Sequence, residues 1–260
     1  MFLLLRAQKQ VVALECVRVR ELAISVEATA VPHAPVWTLG VFNWRGKILP
    51  LVDLRLRLGL PDWKAELNEL AGNITAQAAD HMEWMEELFR SVEERRPFTK
   101  TTDPHACAFG RWYDNFRSEN LVVSGVLRKM DAPHKAIHAL AGRVEQAKAA
   151  GQFEAAKRMI EEARETTLSR LVEKMQNFEQ ALWDSYRPVT AVLEEDGALM
   201  GLMADGVEAV ERIDPASAEL LADHGIESHS DLIDKLLQRP GGGLAAWLER
   251  GRLMAAAVPK

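Results

Sequence analysis

The pattern of apolar residues changes twice along the 260-residue chain, and this change constrains the fold more than any other feature. Over residues 2–60, short runs rich in valine, leucine and isoleucine alternate with proline and glycine, which is typical of β strands. Over residues 62–186, apolar side chains recur at helical spacing. Strand-like runs return from Pro188, and a hairpin is predicted with its turn at Asp196-Gly197.

The helical segment is predicted to contain about four helices, with breaks near residues 96–106, 130–133 and 150. Short links between helices favour an antiparallel bundle. The proline-free run after Gly151 has an apolar stripe that a second copy of the chain could cover. Its members are Phe153, Ile160, Ala163, Thr167, Leu171, Met175, Phe178 and Leu182.

The order of β, helical and β segments favours a helical bundle inserted into one β domain. Neither β segment alone has enough strands to close a barrel, whereas insertions are tolerated at exposed loops whose ends lie close together. Three independent pieces in a row are the alternative. The predicted boundaries are 1–64, 65–186 and 187–260. Within the last segment, residues 230–254 are interpreted as a helix (230–238), a glycine turn, a short strand and a last helical turn.

Composition limits the classes of partner and the compartment. The net charge is −6 and no long basic run occurs, so nucleic acid is not an expected partner. Two cysteines cannot form a disulfide framework, which indicates a reducing compartment. The apolar start, MFLLL, is too short for a signal peptide or a membrane span. We therefore expect a soluble cytoplasmic protein that is not inserted in a membrane.

Histidine and cysteine in the helical segment suggest a metal site. His134 and His138 are four residues apart and share one helix face, and His81 lies on the apolar face of the preceding helix. With Cys107 they form a nitrogen and sulfur set that suits tetrahedral Zn²⁺. His105 is a rival ligand, although its closeness to Cys107 would strain the geometry.

Simpler interpretations stay open at this point. Histidines on an apolar face often belong to an ordinary core, and a buried cysteine is often a small apolar residue. If the metal is bound, three neutral imidazoles and one thiolate leave a net positive charge, which a nearby carboxylate such as Asp80 or Glu83 could balance.

Three strings within the helical segment resemble the chemoreceptor zinc-binding (CZB) domain: HMEW (81–84), CAFGRWY (107–113) and PHKAIH (133–138). The resemblance covers about residues 65–186. It implies Zn²⁺ bound by four residues of this chain, and a homodimer formed through the bundle. Those residues are His81, Cys107, His134 and His138. Met85 departs from the family, in which many members have lysine at this place.

The flanks resemble CheW, the adaptor that couples chemoreceptors to a histidine kinase, in residues 39–60 and 201–213. The resemblance implies an α+β multidomain fold: a split CheW-like double β-barrel of SH3-like type with an inserted antiparallel four-helix bundle. It also places Asn43, Arg45 and Gly46 in a loop that contacts the chemoreceptor or the kinase.

Other residues of the β segments are expected to be structural. Asp53 and Arg55 are predicted to hold the β domain together, and Cys16 is predicted to pack in its core.

The function predicted from these features is a cytoplasmic signalling adaptor that is not an enzyme. No phosphate-binding loop, GxSxG motif or histidine kinase motif is present. Zinc would keep Cys107 as a thiolate, the form that oxidants attack. The resemblance to the CZB domain implies that the bundle senses zinc or oxidants such as hypochlorous acid. The alternatives are a zinc hydrolase with three ligands and a base such as Glu83, and a scaffold with purely structural zinc.

Overall fold

A computed structural model describes residues 1–24, 26–118, 121–195, 197–225, 232–249 and 251–253. The chain forms two compact units. The β unit consists of Met1–Trp63 together with Tyr186–Lys260, and the helical unit consists of Lys64–Ser185. Each boundary lies one residue before the predicted one.

The β unit contains two sheets. Its strands are β1 (Phe2–Ala7), β2 (Gln10–Glu15), β3 (Val19–Ile24), β4 (Thr38–Trp44), β5 (Lys47–Asp53), β6 (Val189–Glu195), β7 (Ala198–Ala204), β8 (Gly206–Glu211), β9 (Glu219–Leu220), β10 (Lys235–Gln238) and β11 (Leu244–Trp247). The six-stranded sheet has the order β8-β1-β2-β11-β10-β9, and the five-stranded sheet has the order β3-β6-β7-β5-β4. A short helix, α1 (Leu54–Arg57), follows β5.

Strands from the two flanks pair with each other in both sheets. β1 pairs with β8 and β3 pairs with β6, both antiparallel, whereas β5 pairs with β7 and β2 pairs with β11 in parallel. Because parallel neighbours need a long connection between them, a helical insert between β5 and β7 is compatible with this topology. The predicted fold class, a β unit split by a helical insert, is confirmed.

Apolar side chains alternate between two cores along β1 and β2. Leu3 and Leu5 of β1 pack with Leu202 of β7 in a core that both sheets share. Phe2 and Leu4 point to the opposite face and belong to a second cluster. Because both faces of these strands are buried, successive residues are apolar, which explains the short valine- and leucine-rich runs of the sequence.

Two details of the second flank test the interpretation of its sequence. β6 and β7 form the predicted hairpin with Glu195 opposite Ala198, while Asp196 of the predicted turn lies outside the described residues. The helix predicted over residues 230–238 is wrong for its described part, because Lys235–Gln238 is a strand between β9 and β11. Pairing on both edges overrides the helical pattern of this short segment.

The helical unit contains α2 (Trp63–Glu93, whose first residue belongs to the β unit), α3 (Ala108–Asn115), α4 (Leu121–Ala149), α5 (Phe153–Ala163) and α6 (Ser169–Ser185). A π-helical turn, Arg164–Leu168, joins α5 to α6 in one continuous rod. None of the helices in the described ranges is long and apolar enough to cross a bilayer.

The break predicted at residues 130–133 is wrong, because α4 continues through Pro133. An interior proline removes one backbone hydrogen bond and costs about 3 kcal/mol. Met130 and Ile137 on either side of it are fully buried, so packing against the bundle outweighs that penalty. The chain instead breaks before α4, where Phe116 ends α3 in an extended conformation.

The apolar stripe of α5 and α6 lies inside the bundle. Ile160, Leu171, Phe178 and their neighbours are buried together with residues of α2 and α4, and α4 packs along both α5 and α6. The stripe therefore does not provide the free surface for a second copy that its sequence suggested.

Candidate metal centre

Three helices bring one cluster of potential ligands together. His81 lies on α2, Cys107 immediately precedes α3, and His134 and His138 lie one turn apart on α4. One ligand atom from each residue lies within 4.8 Å of all the others. Ligand atoms around tetrahedral zinc are about 3.3–3.8 Å apart, given bonds of about 2.0–2.3 Å, so small side-chain shifts would close the cluster on one ion.

The three imidazoles are buried, with exposed fractions of 4% for His81, 3% for His134 and 1% for His138. Nε2 of His81 and both ring nitrogens of His138 lack a partner at hydrogen-bonding geometry among the described residues. The backbone of Thr101 comes near enough to the His138 ring to oppose the lowering of its pKa, but not at the geometry of a hydrogen bond. Buried polar atoms are normally paired, so these nitrogens are the kind of group that a metal ion completes. The residues present therefore fit a metal.

A backbone contact orients His81. Nδ1 of His81 donates a hydrogen bond of 2.7 Å to the carbonyl oxygen of Gln77, one turn earlier on α2. This bond fixes the neutral tautomer in which Nε2 carries the free lone pair. This contact could not be predicted from side chains, since any residue at position 77 supplies the same carbonyl.

Cys107 caps α3 through its sulfur. The backbone N–H of Gly110 donates to Sγ of Cys107 at 3.1 Å, and Nε2 of His134 lies 3.2 Å from the same sulfur. A Cβ at Gly110 would lie 1.8 Å from the carbonyl oxygen of Pro104, so only glycine fits this turn. The N-terminus of α3 thus directs a hydrogen bond at the atom on which a thiolate charge would reside.

Burial keeps the imidazoles neutral. It lowers the pKa of His134 to about 3 and that of His138 to about 4, and the neighbouring His81 adds to both effects. Burial also lowers the pKa of His81. The pKa of the Cys107 thiol is raised by burial, which the N–H of Gly110 opposes. Neutral imidazoles have the lone pairs that a metal ion needs.

Aromatic side chains enclose the histidines. Phe109 lies edge-on to His134 with ring centroids 4.7 Å apart, and Trp84 lies 5.2 Å from His138. Nε1 of Trp84 donates to the carbonyl oxygen of Thr101 at 2.8 Å, which fixes the indole over the cluster. These rings limit contact between the histidines and water.

The other candidates near the cluster lie outside it. His105 is exposed and pairs with Asp114 at 2.9 Å between Nδ1 and Oδ2. Glu83, suggested as a balancing carboxylate or as a base, pairs with Lys100 at 2.7 Å and its side chain is 73% exposed. Neither belongs to the group of converging ligand atoms.

The predicted partner-binding residues lie in the turn between β4 and β5. Arg45 and Gly46 form a two-residue turn with positive φ at both positions, as in the mirror-image turns typical of hairpins. Oδ1 of Asn43 accepts from the N–H of Gly46 at 2.8 Å, and Arg45 pairs with Glu21 at 2.7 Å. All three predicted residues are exposed.

A second buried polar cluster lies in the β unit. The guanidinium of Arg55 donates to both carboxylate oxygens of Asp205, at 2.6 and 2.7 Å. Tyr186 donates its hydroxyl to Asp205 at 2.7 Å, and the backbone N–H of Gln8 donates to it at 2.6 Å. Arg55 therefore holds the β unit together as predicted, through partners that the sequence analysis missed.

Asp53 and Cys16 also have structural roles. Oδ1 of Asp53 accepts from the N–H of Leu56 at 3.2 Å and caps α1. Cys16 is half-buried and packs against the core shared by the two sheets.

Comparison with protein families identifies two regions. The model of the chemoreceptor zinc-binding domain matches residues 81–145, which contain all four converging ligands. The model of the CheW-like domain matches residues 1–73. The chain thus contains a CheW-like region and a CZB region. The CheW-like match includes the first ten residues of the helical unit and does not reach the second flank.

Curated relatives match a short part of the CheW-like region. The probable chemotaxis protein CheW of Rhizobium etli is 52% identical over 42 residues, which are 16% of this chain and 27% of that protein. The chemotaxis protein CheW of Helicobacter pylori is 42% identical over 48 residues, 18% of this chain and 29% of that protein. The chain therefore spans little more than a quarter of the length of these relatives.

Two solved structures are similar at low TM-scores. The scaffolding protein TtCheW of Thermoanaerobacter tengcongensis gives a TM-score of 0.43 at 12% identity, over 95% of this chain and 87% of that chain. The regulatory CZB domain of DgcZ gives 0.38 at 20% identity, over 45% of this chain and 98% of that chain.

Proposed function

We propose that the protein is a cytoplasmic adaptor of chemotaxis signalling and not an enzyme. In this proposal its helical unit binds Zn²⁺ and senses either the zinc level or oxidation of Cys107. The CheW-like region, matched over residues 1–73, supports the adaptor role. The CZB region supports zinc as the metal. In this proposal the β unit contacts a chemoreceptor, a histidine kinase or both.

The observation that carries the proposal is the convergence of three buried imidazoles and one thiol. Within this cluster, Nε2 of His81 and both ring nitrogens of His138 lack a partner at hydrogen-bonding geometry in the described residues. His81, Cys107, His134 and His138 would hold the ion. When bound, zinc keeps the sulfur as a thiolate and ties the helices together. With four protein ligands the ion has no position left for a reactive water, which disfavours the hydrolase alternative.

Metal analysis of the purified full chain tests zinc binding. We expect about one zinc ion per chain in the wild type and a large loss in Cys107→Ser and His138→Ala. His105→Ala and Cys16→Ser are matched controls outside the cluster and should keep the metal. A wild type that is isolated without metal and refuses zinc in titration would contradict the proposal. Unchanged zinc content in Cys107→Ser, together with turnover of a substrate, would favour the hydrolase.

Cys107 is the sensing residue in this proposal. Its thiolate takes the oxygen of hypochlorous acid, so the sulfur is oxidised to a sulfenic acid while chlorine is reduced and leaves as chloride. A sulfenic acid is a poorer metal ligand than a thiolate, so oxidation loosens the site. The helical unit is joined to the β unit at both ends, which gives such a change a covalent connection to the adaptor.

A chromogenic zinc indicator tests sensing. We expect hypochlorous acid at modest excess to release zinc and form sulfenic acid at Cys107, detected by mass spectrometry after trapping. A thiol reductant should restore zinc binding. No release at modest excess would favour a scaffold with purely structural zinc.

The turn between β4 and β5 is the proposed contact with the chemoreceptor or kinase. Asn43, Arg45 and Gly46 are exposed there. We expect Arg45→Ala to weaken capture of the receptor's cytoplasmic domain or of the kinase, and Arg20→Ala, another exposed arginine of the β unit that pairs with a glutamate, to leave it unchanged. Equal binding by both variants would remove this turn from the contact.

The last part of the proposal is a homodimer formed through the bundle. Its support is the CZB region alone, because the apolar stripe of α5 and α6 is buried within the chain. Light scattering coupled to size-exclusion chromatography tests it. A monomer at all accessible concentrations would contradict this part without affecting zinc binding.

A further inference from the structure

A cavity of about 330 Å³ adjoins the metal centre on one side. It is lined by three of the four candidate ligands, His81, Cys107 and His138, together with Phe109 and Trp84. Its size falls at the lower end of the range for small-molecule sites. The fourth ligand, His134, does not line it, so the cavity reaches the cluster on the side of Cys107, His81 and His138.

Cys107 is the accessible member of the cluster. The three imidazoles are at most 4% exposed, whereas Cys107 is half-buried. A solute in the cavity therefore meets the Cys107 side chain more readily than the imidazoles. The charges of the side chains that line the cavity therefore influence which solutes reach Cys107.

The charged side chains of the cavity wall differ in sign and in whether an ion pair offsets their charge. Arg111 and Lys100 contribute positive charge, and Asp80 contributes negative charge. The charge of Lys100 is offset by its ion pair with Glu83 at 2.7 Å. Arg111, in contrast, donates to the carbonyl oxygen of Ala106, which does not neutralise it. Arg111 is thus the positive wall charge that a solute would meet, and Asp80 is the negative one.

Arg111 is also fixed next to the sulfur by the helix that Cys107 caps. Its backbone N–H donates to the carbonyl oxygen of Cys107 at 3.0 Å, and its guanidinium returns to Ala106, the residue before Cys107. The same turn directs the N–H of Gly110 at Sγ. Both features favour negative charge at the sulfur end of the cavity.

We propose that this cavity is an entry site for small anions, in which Arg111 draws the anion toward the sulfur of Cys107. The inference rests on the proposed function, because it names the class of solute that the zinc-bound thiolate meets. Neutral solutes of the same size enter without this advantage.

The test compares two alkylating reagents of similar size that differ in charge, iodoacetate and iodoacetamide. In both reactions the sulfur forms a bond to carbon, the carbon–iodine bond breaks and iodide leaves. The ratio of the two rates at Cys107 isolates the effect of reagent charge, since the reactivity of the sulfur cancels. Rates are measured on the zinc-loaded full chain by peptide mass spectrometry, with Cys16 as an internal reference and zinc content followed in the same samples.

We expect Arg111→Gln to lower the iodoacetate-to-iodoacetamide ratio at Cys107 by about three- to tenfold, the effect of removing one charge beside a partly exposed atom. The ratio at Cys16 should not change. Arg117→Gln, an exposed arginine of the same unit that does not line the cavity, is the matched control and should behave as the wild type. Lys100→Gln should have a smaller effect than Arg111→Gln because its charge is already paired.

Two further measurements decide the matter if Arg111→Gln loses zinc or fails to fold. Asp80→Asn removes the negative wall charge and should raise the ratio, and added salt should lower the wild-type ratio by screening. An unchanged ratio in Arg111→Gln with zinc retained overturns the proposal, as does a ratio insensitive to both Asp80→Asn and salt. These results would leave zinc binding untouched, whereas absence of zinc in the wild type would overturn the proposed function itself.

Discussion

The two units each bury a cluster of polar side chains, but only one cluster is complete within the chain. In the β unit, Asp205 accepts from both Arg55 and Tyr186, so the buried charges meet each other. In the helical unit, Nε2 of His81 and both ring nitrogens of His138 are buried without such partners in the described residues. Both clusters are buried, but among the described residues the polar groups of the β unit are hydrogen-bonded to each other and several of those in the helical unit are not.

This difference separates a structural cluster from a binding site. A buried polar group without a partner costs about 1–3 kcal/mol, and a native fold rarely concentrates several such groups in one place. In the β unit, the buried charges of Arg55 and Asp205 compensate each other. Under the proposed function a metal ion completes the cluster of the helical unit, and the stability of that unit then depends on the metal concentration.

Removing the metal should destabilise the helical unit and leave the β unit unchanged. We expect a chelator to speed amide exchange in α2 and α4 by at least about hundredfold, since a ligand at a hundred times its Kd contributes about 2.7 kcal/mol. Exchange in the strands should stay the same. Hydrogen exchange with mass spectrometry resolves the two units, and equal exchange with and without chelator would show that no ion stabilises the bundle.

Asp205→Ala should destabilise the β unit and leave the helical unit unchanged, the opposite of metal removal. It leaves Arg55 buried without its carboxylate, which costs about 3–5 kcal/mol in the β unit, and zinc content should not change. Glu194→Ala is the matched control, because Glu194 pairs with Arg20 at the surface and such pairs contribute about 1 kcal/mol or less. Urea unfolding followed by exchange in the strands measures both; equal losses would mean that Asp205 has no special role.

Gly110→Ala should weaken the metal centre without touching a ligand. The added Cβ meets the carbonyl of Pro104, so the turn that positions Cys107 must shift, and we expect zinc affinity to fall by about 10- to 100-fold. Gly142→Ala on α4 meets no atom within 4 Å and should keep the wild-type affinity. Competition with a zinc chelator of known affinity gives both values.

Glu83→Gln should have the smallest effect. Glu83 is exposed and pairs with Lys100, so we expect zinc affinity to stay within about twofold of the wild type. A larger loss, measured by the same competition, would show that this carboxylate balances the charge of the metal centre after all.

Much of the metal centre could be predicted because its ligands have distinctive side chains. His134 and His138 at a spacing of four, with Cys107 and His81, stand out in any reading of the sequence. The contacts that orient them could not be predicted, since the carbonyl of Gln77 and the N–H of Gly110 are backbone groups that every residue carries.

The parts of the fold that the sequence misrepresented are those in which packing overrides local preference. Pro133 looked like the start of a helix, yet α4 passes through it. Residues 235–238 looked helical, yet strands on both sides hold them extended. The apolar stripe of α5 and α6 looked available to a partner, because a sequence does not show which surface covers such a stripe.

The parallel pairing of β5 with β7 has a consequence for biosynthesis. Residues 64–185 leave the ribosome between these two strands. At a translation rate of about 5–20 residues per second, the first five strands wait on the order of ten seconds for their neighbours. The bundle, whose helices are continuous in sequence, is fully synthesised within that interval. The nascent chain therefore presents a candidate zinc-binding bundle before it can present a complete β unit.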